Sequence, residues 1–371
     1  MKSTLVVLSL LSLASASSLL SHSLKRRLPS SSPLKKRDSC TISSLDDVDE
    51  AVKCSEINIE SFEVPAGETF DLDLEDGTTV NVLGDITFGT SHWEGPLVQV
   101  EGTDITFNGN GYKWDGQGSY YWDGEGGNGG VTKPKFFKVK FSGTMTDVYL
   151  LNQPVQGFSI SNPAALTMSG ITVDCSDGDE DDLGHNTDAF DVSSSESLTI
   201  KDSTINNQDD CIAVNDAANL VFTGNTCTGG HGISIGSIKD GKNVSNVKIT
   251  NNKVVNSQQG LRIKTYAGAT DASVSDIYYE GNTVTGCEKY GVVIEQDYTN
   301  EGATGEATDG VPIDGVYFQG TTTTVEVEDD AKQVYILCAS GACSNFDFSA
   351  LSVSGGSAGS IEGVTVDNFD L

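Results

Sequence analysis

Residues 198–235 read LTIKDSTINNQDDCIAVNDAANLVFTGNTCTGGHGISI, and this stretch contains the same unit twice. Each unit begins with a short apolar phrase, continues through a polar turn to a second apolar piece, and ends in a third. The third piece starts eleven to thirteen residues after the phrase, as Asp210 follows Leu198. Units of this order begin at Leu198, Leu220, Val247 and Ile277. Repetition of strand, turn, strand, turn and strand predicts a solenoid whose coils stack on one another.

The composition is that of an all-β chain. Gly accounts for 41 of 371 residues, and no long apolar stripe with the 3.6-residue period of a helix is present. We therefore predict a single-domain right-handed parallel β-helix, a solenoid, over residues 38–371. A β-sandwich also uses short strands with frequent turns, but it would not explain three-part units of matching order. A short helix around Ser44 to Val52 is a candidate cap for the open end of the stack.

The first 37 residues predict processing. An apolar stretch from Leu5 to Leu13 precedes the small-residue pattern ASA, so we predict a secretory signal peptide in residues 1–16. Residues 17–37 end in the dibasic pattern KKR and predict a propeptide, which leaves Asp38 as the first mature residue. No second apolar stretch approaches the ~20 residues of a membrane helix. The sequence therefore predicts a secreted, extracellular protein without membrane contact.

The predicted mature chain is strongly acidic. The whole sequence has 53 Asp and Glu against 22 Lys and Arg. Seven of the basic residues lie in 1–37, which leaves 15 of them and a net charge of −38 beyond that point. Such a surface repels the phosphates of nucleic acid and of anionic membranes, so neither is an expected partner. We expect a monomer that needs no cofactor.

The eight cysteines suit a secreted protein, in which disulfides form and persist. Counting alone does not settle their pairing, but three pairs are close in sequence and predict local disulfides: Cys40–Cys54, Cys211–Cys227 and Cys338–Cys343. Cys175 and Cys287 remain, and roughly four coil steps of ~4.8 Å separate their positions. Because a disulfide needs Cα atoms within ~7 Å, both are predicted to be free thiols. Asn243 opens the sequon Asn243-Val244-Ser245 and is a candidate glycosylation site.

The third pieces of successive units place polar residues in one column. Their alternating apolar residues, such as Ile212 and Val214, face the core, and neighbouring coils lie ~4.8 Å apart. The residues that open these pieces then fall on successive coils: Asp188, Asp210, His231, Gln259 and Tyr290. Asp209 precedes Asp210, and Arg262 and Lys264 project from a later strand. The pattern predicts a compact patch of carboxylates, imidazole and cations.

This patch has the groups that glycoside hydrolysis requires. One protonated carboxyl group donates to the leaving oxygen, and an ionised carboxylate activates water. Crowding of Asp188, Asp209 and Asp210 raises the pKa of at least one of them, and such a cluster titrates as a unit. Arg262 is the only arginine of residues 38–371. This isolation favours a guanidinium that binds a carboxylate through two N–H groups over a solvated surface charge. A histidine without polar neighbours is more often structural. The polar residues beside His231 in the column favour a role in the site.

Metal binding is the alternative use of three carboxylates. The acidic loop Asp177–Asp182 invites the same interpretation. Its Gly position and the missing terminal Glu do not match an EF-hand. We therefore predict no metal site and interpret this loop as a solvated rim.

Short motifs in a fixed order carry a family resemblance. They are Asn186-Thr187-Asp188, Gln208-Asp209-Asp210-Cys211, Gly229-Gly230-His231-Gly232, Arg262-Ile263-Lys264 and Glu295-Gln296-Asp297-Tyr298. Each motif is weak alone, but together they resemble the signature of fungal endopolygalacturonases in family 28 of the glycoside hydrolases. The resemblance runs across nearly the whole mature chain. It implies a parallel β-helix enzyme that hydrolyses the α-1,4 links of polygalacturonate, the pectin backbone, with inversion.

The resemblance also implies a role for each motif residue. Asp209 would be the general acid, while Asp188 and Asp210 would hold and activate the water. His231 would tune the protonation of the acid. Substrate binding near the scissile bond would fall to Arg262, Lys264 and Tyr298, with Asn186 supporting the site.

Other functions of a secreted β-solenoid remain open at this point. An exo-polygalacturonase or a rhamnogalacturonan hydrolase would use the same chemistry, although exo action needs a blocked cleft end and the loops here show no large insertion. A pectate lyase would use calcium and release unsaturated products. A polysaccharide-binding solenoid would create no new reducing ends.

Overall fold

The computed structural model describes residues 39–371 and contains 31 β-strands. Those before residue 175 are β1 (Cys40–Ile42), β2 (Glu56–Ile59), β3 (Phe62–Val64), β4 (Phe70–Asp73), β5 (Thr79–Val82), β6 (Ile86–Phe88), β7 (Val98–Asn108), β8 (Lys113–Asp115), β9 (Phe137–Thr146), β10 (Tyr149–Leu151), β11 (Phe158–Ile160), β12 (Leu166–Ser169) and β13 (Thr172–Asp174). The middle strands are β14 (Phe190–Val192), β15 (Leu198–Lys201), β16 (Thr204–Asn207), β17 (Ile212–Val214), β18 (Ala217–Thr223), β19 (Thr226–Gly229), β20 (Ile233–Ile238), β21 (Asn243–Thr250), β22 (Lys253–Val255) and β23 (Gln259–Tyr266). The last are β24 (Ser273–Glu280), β25 (Thr283–Cys287), β26 (Tyr290–Tyr298), β27 (Ile313–Phe318), β28 (Thr323–Leu337), β29 (Cys343–Asp347), β30 (Leu351–Glu362) and β31 (Val366–Asp367).

The strands stack in three columns, and neighbours within each column pair in parallel. The first column runs β1, β2, β5, β7, β9, β12, β15, β18, β21, β24, β27, β29, β31. The second runs β3, β6, β8, β10, β13, β16, β19, β22, β25, β28, β30. The third runs β4, β7, β9, β11, β14, β17, β20, β23, β26, β28, β30. Long strands such as β7 and β28 bend and contribute to two columns. The predicted right-handed parallel β-helix is therefore confirmed.

The register of the third column also follows the prediction. Phe190 pairs with Ile212, Ile212 with Ile233, and Ile233 with Leu261. These side chains are completely or almost completely buried, because every second residue of a strand points to the same side. Aromatic rings continue the stack, with the Phe158 and Phe190 rings 5.4 Å apart and nearly parallel. The outward residues of the same strands are thereby forced onto one face.

Buried asparagines brace the turns of successive coils. The Asn225 Nδ2 donates to Asn252 Oδ1 at 3.1 Å, and the Asn252 Nδ2 donates to Asn282 Oδ1 at 3.0 Å. Each amide also donates to a backbone carbonyl of the preceding coil, as Asn252 does to Phe222 at 2.9 Å. A buried polar group is stable only when it is hydrogen-bonded, so this chain of amides holds the spacing of the coils.

The helical segments are short. A 3₁₀ turn at Leu45–Asp47 leads into the α-helix α1, Val48–Ala51, as predicted near the start of the stack. Leu45, Val48 and Val52 pack against the end of the core. Two further 3₁₀ segments lie at Gly118–Tyr120 and Ser176–Asp182. Among the described residues no helix is both long and apolar enough to cross a membrane.

The cysteine predictions are confirmed. Disulfides join Cys40 to Cys54, Cys211 to Cys227, and Cys338 to Cys343. Cys175 and Cys287 are free and buried. Asn243 opens β21 and is exposed, so its glycosylation stays a prediction. The proposed signal peptide (residues 1–16) and propeptide (17–37) lie outside the described residues.

Candidate active site

One open cleft of about 540 Å³ lies over the third column and contains all eight predicted site residues. They are Asn186, Asp188, Asp209, Asp210, His231, Arg262, Lys264 and Tyr298. Asp188 and Asp210 stand just before β14 and β17, and His231 stands before β20. The cleft therefore arises from the entrances of successive strands, as the column argument predicts.

Hydrogen bonds between two motifs fix the loops that carry the aspartates. The hydroxyl of Thr187 donates to Gln208 Oε1 at 2.8 Å and accepts from the Gln208 backbone N–H at 2.8 Å. The buried Asn207 amide donates to the carbonyls of Thr187, Asp209 and Asp210 at 2.7, 3.0 and 3.1 Å. The Asp188 and Asp209–Asp210 loops thus form one hydrogen-bonded unit, which limits how far the carboxylates can move.

The glycines around His231 are required by the backbone. Gly230 and Gly232 have φ angles of +61° and +76°, a region that L side chains rarely adopt. A Cβ at Gly230 would collide with the Asp209 carbonyl, and one at Gly232 with the Gln259 carbonyl. The pattern Gly-His-Gly therefore lets the imidazole sit directly above the carboxylate loop.

Asp210 contacts two cations and a hydroxyl. Its Oδ1 accepts from Arg262 Nη2 at 2.9 Å and from Ser234 Oγ at 2.6 Å, and its Oδ2 accepts from Lys264 Nζ at 2.8 Å. The Arg262 Nε also donates to Ser234 Oγ at 3.1 Å. All four side chains are 6 % exposed or less. Asp210 thus forms the centre of a buried ion-pair network.

Asp209 contacts His231 and Asn186. Its Oδ1 is 2.9 Å from His231 Nδ1, and its Oδ2 accepts from Asn186 Nδ2 at 3.1 Å. Burial by itself would raise the pKa of Asp209, but His231, Lys264 and Arg262 outweigh burial and hold this pKa well below its usual range. The contact with the imidazole therefore favours the ionised form of Asp209.

The pKa of Asp188 is shifted in the opposite direction. Burial, and after it the charges of Asp209, Asp191 and Asp210, raise the pKa of Asp188 well above its usual range. Neighbouring carboxylates that cannot all ionise push their pKa values apart. The pKa values of Asp188 and Asp209 are thus shifted in opposite directions.

Asn186 and Tyr298 close two sides of the cleft. Asn186 has a left-handed φ of +51°, and its Oδ1 accepts from the Gly127 N–H at 3.0 Å and from Asn128 Nδ2 at 3.2 Å. It therefore joins the loop around residue 127 to Asp209. The Tyr298 ring lies 5.0 Å from Lys264 Nζ and 5.9 Å from the Arg262 guanidinium, within reach of a cation–π interaction.

Three functional residues were missed by the sequence argument. Ser234 and Asn207 have no charge and look like ordinary strand residues, and only their hydrogen bonds reveal them. Asp191 lines the cleft and was available from the sequence, because it alternates with the core residues Phe190 and Val192. Burial raises the pKa of Asp191 to about 7, with Lys135 opposing this shift and Asp210 and Asp209 adding to it.

We expect Asp191→Asn to change how stability depends on pH. A free aspartate titrates near ~3.9, so the folded state binds this proton more tightly than the unfolded state. The resulting stability is present below pH ~4 and is lost as pH rises through about 7. The variant should therefore lose less Tm than the wild type between pH 4 and pH 8 in thermal unfolding scans. Part of the fall should remain, because Asp188 shifts in the same direction.

Asp271→Asn is the matched control for this experiment, because Asp271 is exposed. It removes the same formal charge away from the cleft and should leave the pH dependence of Tm as in the wild type. A wild-type Tm that rises from pH 4 to pH 8 relative to the Asp191→Asn variant would contradict the assigned shift.

The cluster of Asp209, Asp210 and His231 has the spacing of a metal site, with candidate ligand atoms within 4.8 Å of one another. Its charge is already compensated by the protein. Both oxygens of Asp210 accept from Arg262 or Lys264, and a metal ion would have to displace these cations. The donor set therefore fits an ion-pair network better than a metal centre.

The acidic loop is partly structural. Asp179 Oδ1 accepts from Gln208 Nε2 at 2.8 Å, and Asp177 Oδ2 accepts from Asn152 Nδ2 at 2.9 Å. Its other carboxylates are exposed. The predicted rim thus also supports Gln208, one of the residues that position the aspartates.

Comparison with known proteins gives one consistent result. Residues 54–368 match the family model of glycosyl hydrolases family 28. The chain is 47% identical over 334 residues to a probable endopolygalacturonase A of Aspergillus parasiticus, covering 88% of this chain and 90% of that protein. It is 48% identical to endopolygalacturonase 1 of Colletotrichum lindemuthianum, covering 87% and 89%. Among solved structures, endopolygalacturonase I of Stereum purpureum in complex with two galacturonates matches with a TM-score of 0.85 and 45% identity, covering 89% of this chain and 100% of that one.

Proposed function

The chain belongs to family 28 of the glycosyl hydrolases and acts as an endopolygalacturonase, and we propose that it cleaves its polymer with inversion, using Asp209 as the general acid. The observation that carries this proposal is the hydrogen-bonded pair of Asp209 and His231 in the cleft that also holds Asp188 and Asp210. Asp209 is the aspartate of this group that contacts a histidine.

The proton path follows from this pair. Asp209 donates a proton to the glycosidic oxygen as the bond to the anomeric carbon breaks. His231 Nδ1 is 2.9 Å from Asp209 Oδ1 and supplies that proton through the hydrogen bond. The negative charge that would otherwise build up on the leaving oxygen is thereby neutralised, which is the contribution of general acid catalysis.

The water is activated by the other two aspartates. Asp210 is held in place by its contacts with Arg262 and Lys264, and it orients the water. Asp188 has the raised pKa and is the stronger base once it is ionised. Asp188 gives its own proton to solvent before the reaction. In this ionised form it takes the proton of the water as the water oxygen attacks the anomeric carbon from the face opposite the leaving group.

Arg262 and Lys264 contact the carboxylate of Asp210 and also have N–H groups free for substrate. The contacts of both side chains with Asp210 leave the remaining N–H groups for a galacturonate carboxylate. The Tyr298 ring beside them supplies an apolar face for the sugar. We propose that these three residues bind one galacturonate unit next to the scissile bond.

Product analysis tests the endo mode. The cleft continues on both sides into neighbouring cavities, which share His185 and Gln258 on one side and Asp191 and Lys239 on the other. A polymer can therefore pass through, and we expect mixed oligomers and a fast loss of viscosity early in digests of polygalacturonate. Monomer as the sole early product would indicate exo action, products absorbing in the ultraviolet would indicate a lyase, and no new reducing ends would indicate a binding protein.

We also propose that the protein is secreted and acts as a monomer. The predicted signal peptide and the three disulfides support secretion. All of the proposed catalytic groups come from one chain, which supports a monomer. N-terminal sequencing of the secreted protein should read from Asp38 onward.

A further inference from the structure

A glycine-rich loop between β8 and β9 borders the catalytic cleft. Residues 124–130 read GEGGNGG, and Gly127 and Asn128 line the cleft. Such a sequence has high conformational freedom, so a defined position requires anchors. The motifs that carry the family resemblance include no residue of this loop.

The base of the loop is fixed by the carboxylate of Asp123. Its Oδ1 accepts from the Glu125 N–H at 3.0 Å and from Lys133 Nζ at 2.8 Å, and its Oδ2 accepts from the Val131 N–H at 2.9 Å. Lys133 is buried, so this ion pair is only weakly screened by salt. One side chain therefore holds the two ends of the loop together.

The tip of the loop, residues 126–128, holds the amide of Asn186. Asn186 Oδ1 accepts from the Gly127 N–H at 3.0 Å and from Asn128 Nδ2 at 3.2 Å. An amide oxygen has two lone pairs, so both of them are used. The amide nitrogen must then face the other way, where Asn186 Nδ2 donates to Asp209 Oδ2 at 3.1 Å.

The tip comes closest to Asn186 at Gly126. This residue is buried and has a φ of +56°. A Cβ on Gly126 would collide with Asn186 Oδ1 and with the His185 carbonyl oxygen. Glycine is therefore required at this position if the tip is to reach the amide.

The direction of the Asn186 amide affects a general acid. An N–H that donates to a carboxylate stabilises its ionised form, which is the form of Asp209 left after its proton has moved to the leaving oxygen. A reversed amide would present its oxygen to Asp209 and would accept the proton that has to be transferred. The two donors of the tip exclude this reversed orientation.

We propose that residues 126–128 position the general acid, because they hold the Asn186 amide with its N–H groups toward Asp209. This inference rests on the proposed function of Asp209. Gly126 and Asn128 are positioning residues that act through Asn186.

The Gly126→Ala variant tests this role, and Gly124→Ala is its matched control. Both glycines have left-handed φ angles, +56° and +79°, so the substitution strains the backbone in both. A Cβ at Gly124 has only the Asp182 carbonyl oxygen within 4 Å, at 3.9 Å, whereas one at Gly126 displaces the Asn186 amide. We expect kcat on polygalacturonate to fall about 10- to 100-fold in Gly126→Ala with little change in KM, and Gly124→Ala to retain wild-type kcat. Thermal unfolding checks that both variants are folded at the assay temperature.

The pH profile separates positioning from a loss of stability. The alkaline limb of kcat/KM reports loss of the proton from the Asp209–His231 pair, which titrates as a unit. Weaker donation from Asn186 favours the protonated form, so Gly126→Ala should shift this limb to higher pH, whereas a purely structural defect would lower the profile without moving it. The other charged groups around Asp209 are the same in wild type and variant: Asp188, Asp191, Asp210, Arg262 and Lys264.

Asn128→Ala gives a test that does not depend on the folding of Gly126→Ala, because Asn128 is exposed. It removes one of the two donors to Asn186 Oδ1 and should lower kcat roughly 2- to 10-fold. Asn368→Ala removes a comparable exposed hydrogen bond, to Asp347 Oδ1 at 3.1 Å, in the last coil and should behave as the wild type.

The outcome that overturns this inference differs from the one that overturns the proposed function. Wild-type kcat and an unshifted pH profile in both Gly126→Ala and Asn128→Ala, together with an inactive Asp209→Asn variant, would overturn the positioning role alone. Near-normal turnover of Asp209→Asn would instead overturn the proposed function.

Discussion

Asp209→Asn is expected to lower kcat on polygalacturonate by a factor of ~10²–10⁴, because an amide cannot deliver a proton to the leaving oxygen. Asparagine has nearly the same shape as aspartate, and its oxygen can still accept from the Asp210 N–H, which is 2.8 Å from Asp209 Oδ1. The fold and KM should therefore change little. The measurement is a reducing-end assay on purified wild type and variant, with thermal unfolding as the check of folding.

Asp271→Asn is the control for this prediction as well, since it makes the same substitution at an exposed position. It should retain wild-type turnover. Near-normal kcat in the folded Asp209→Asn variant would show that Asp209 is not the acid and would move the role to Asp188, the carboxyl group with the raised pKa.

The second large effect is expected from Arg262→Met. Arg262 is 6 % exposed and Asp210 is 1 % exposed, so the substitution leaves a buried carboxylate with Lys264 as its remaining cation. Removing one partner of a buried ion pair costs about 3–5 kcal/mol of unfolding free energy. Chemical denaturation of wild type and variant measures this loss, and kcat should fall with it because Asp210 is no longer held in place.

The Arg262→Lys variant separates the effect of the positive charge from the effect of the guanidinium geometry. Lysine retains the positive charge but cannot donate to both Asp210 and Ser234 from a planar fork. We expect most of the stability to remain and kcat/KM on polygalacturonate to fall. Unchanged kinetics would show that the guanidinium fork has no part in binding or in positioning Asp210.

A double-mutant cycle tests whether Arg262 and Asp210 act as a unit. Arg262→Met combined with Asp210→Asn removes both the cation and the charge that it compensates. The combined loss of stability should be smaller than the sum of the two single losses. Strictly additive losses would mean that the two side chains do not interact energetically.

Much of the site was predictable because residues at equivalent positions in successive repeats of a solenoid lie next to each other on neighbouring coils. Once Ile212, Ile233 and Leu261 are aligned as core positions, Asp210, His231 and Arg262 must lie on neighbouring coils. The same reasoning predicted the two free thiols, since residues at different heights of the stack cannot meet. Ser234 and Asn207 could not be found this way, because nothing in an uncharged strand residue shows which group it will hydrogen-bond.

By itself the repeat pattern of the sequence determined the coil repeat, the register of the third column and six of the residues that share the cleft, whereas Asn186 and Tyr298 were implied by the family resemblance. The physical reason is that alternation along a strand and a fixed coil spacing depend only on local periodicity. The tertiary structure alone decided that both cations contact Asp210, that His231 contacts Asp209, and that burial raises the pKa of Asp188. Those outcomes depend on distances between side chains of different coils and on the loss of solvent around each carboxylate, and neither is encoded in the spacing of residues along the chain.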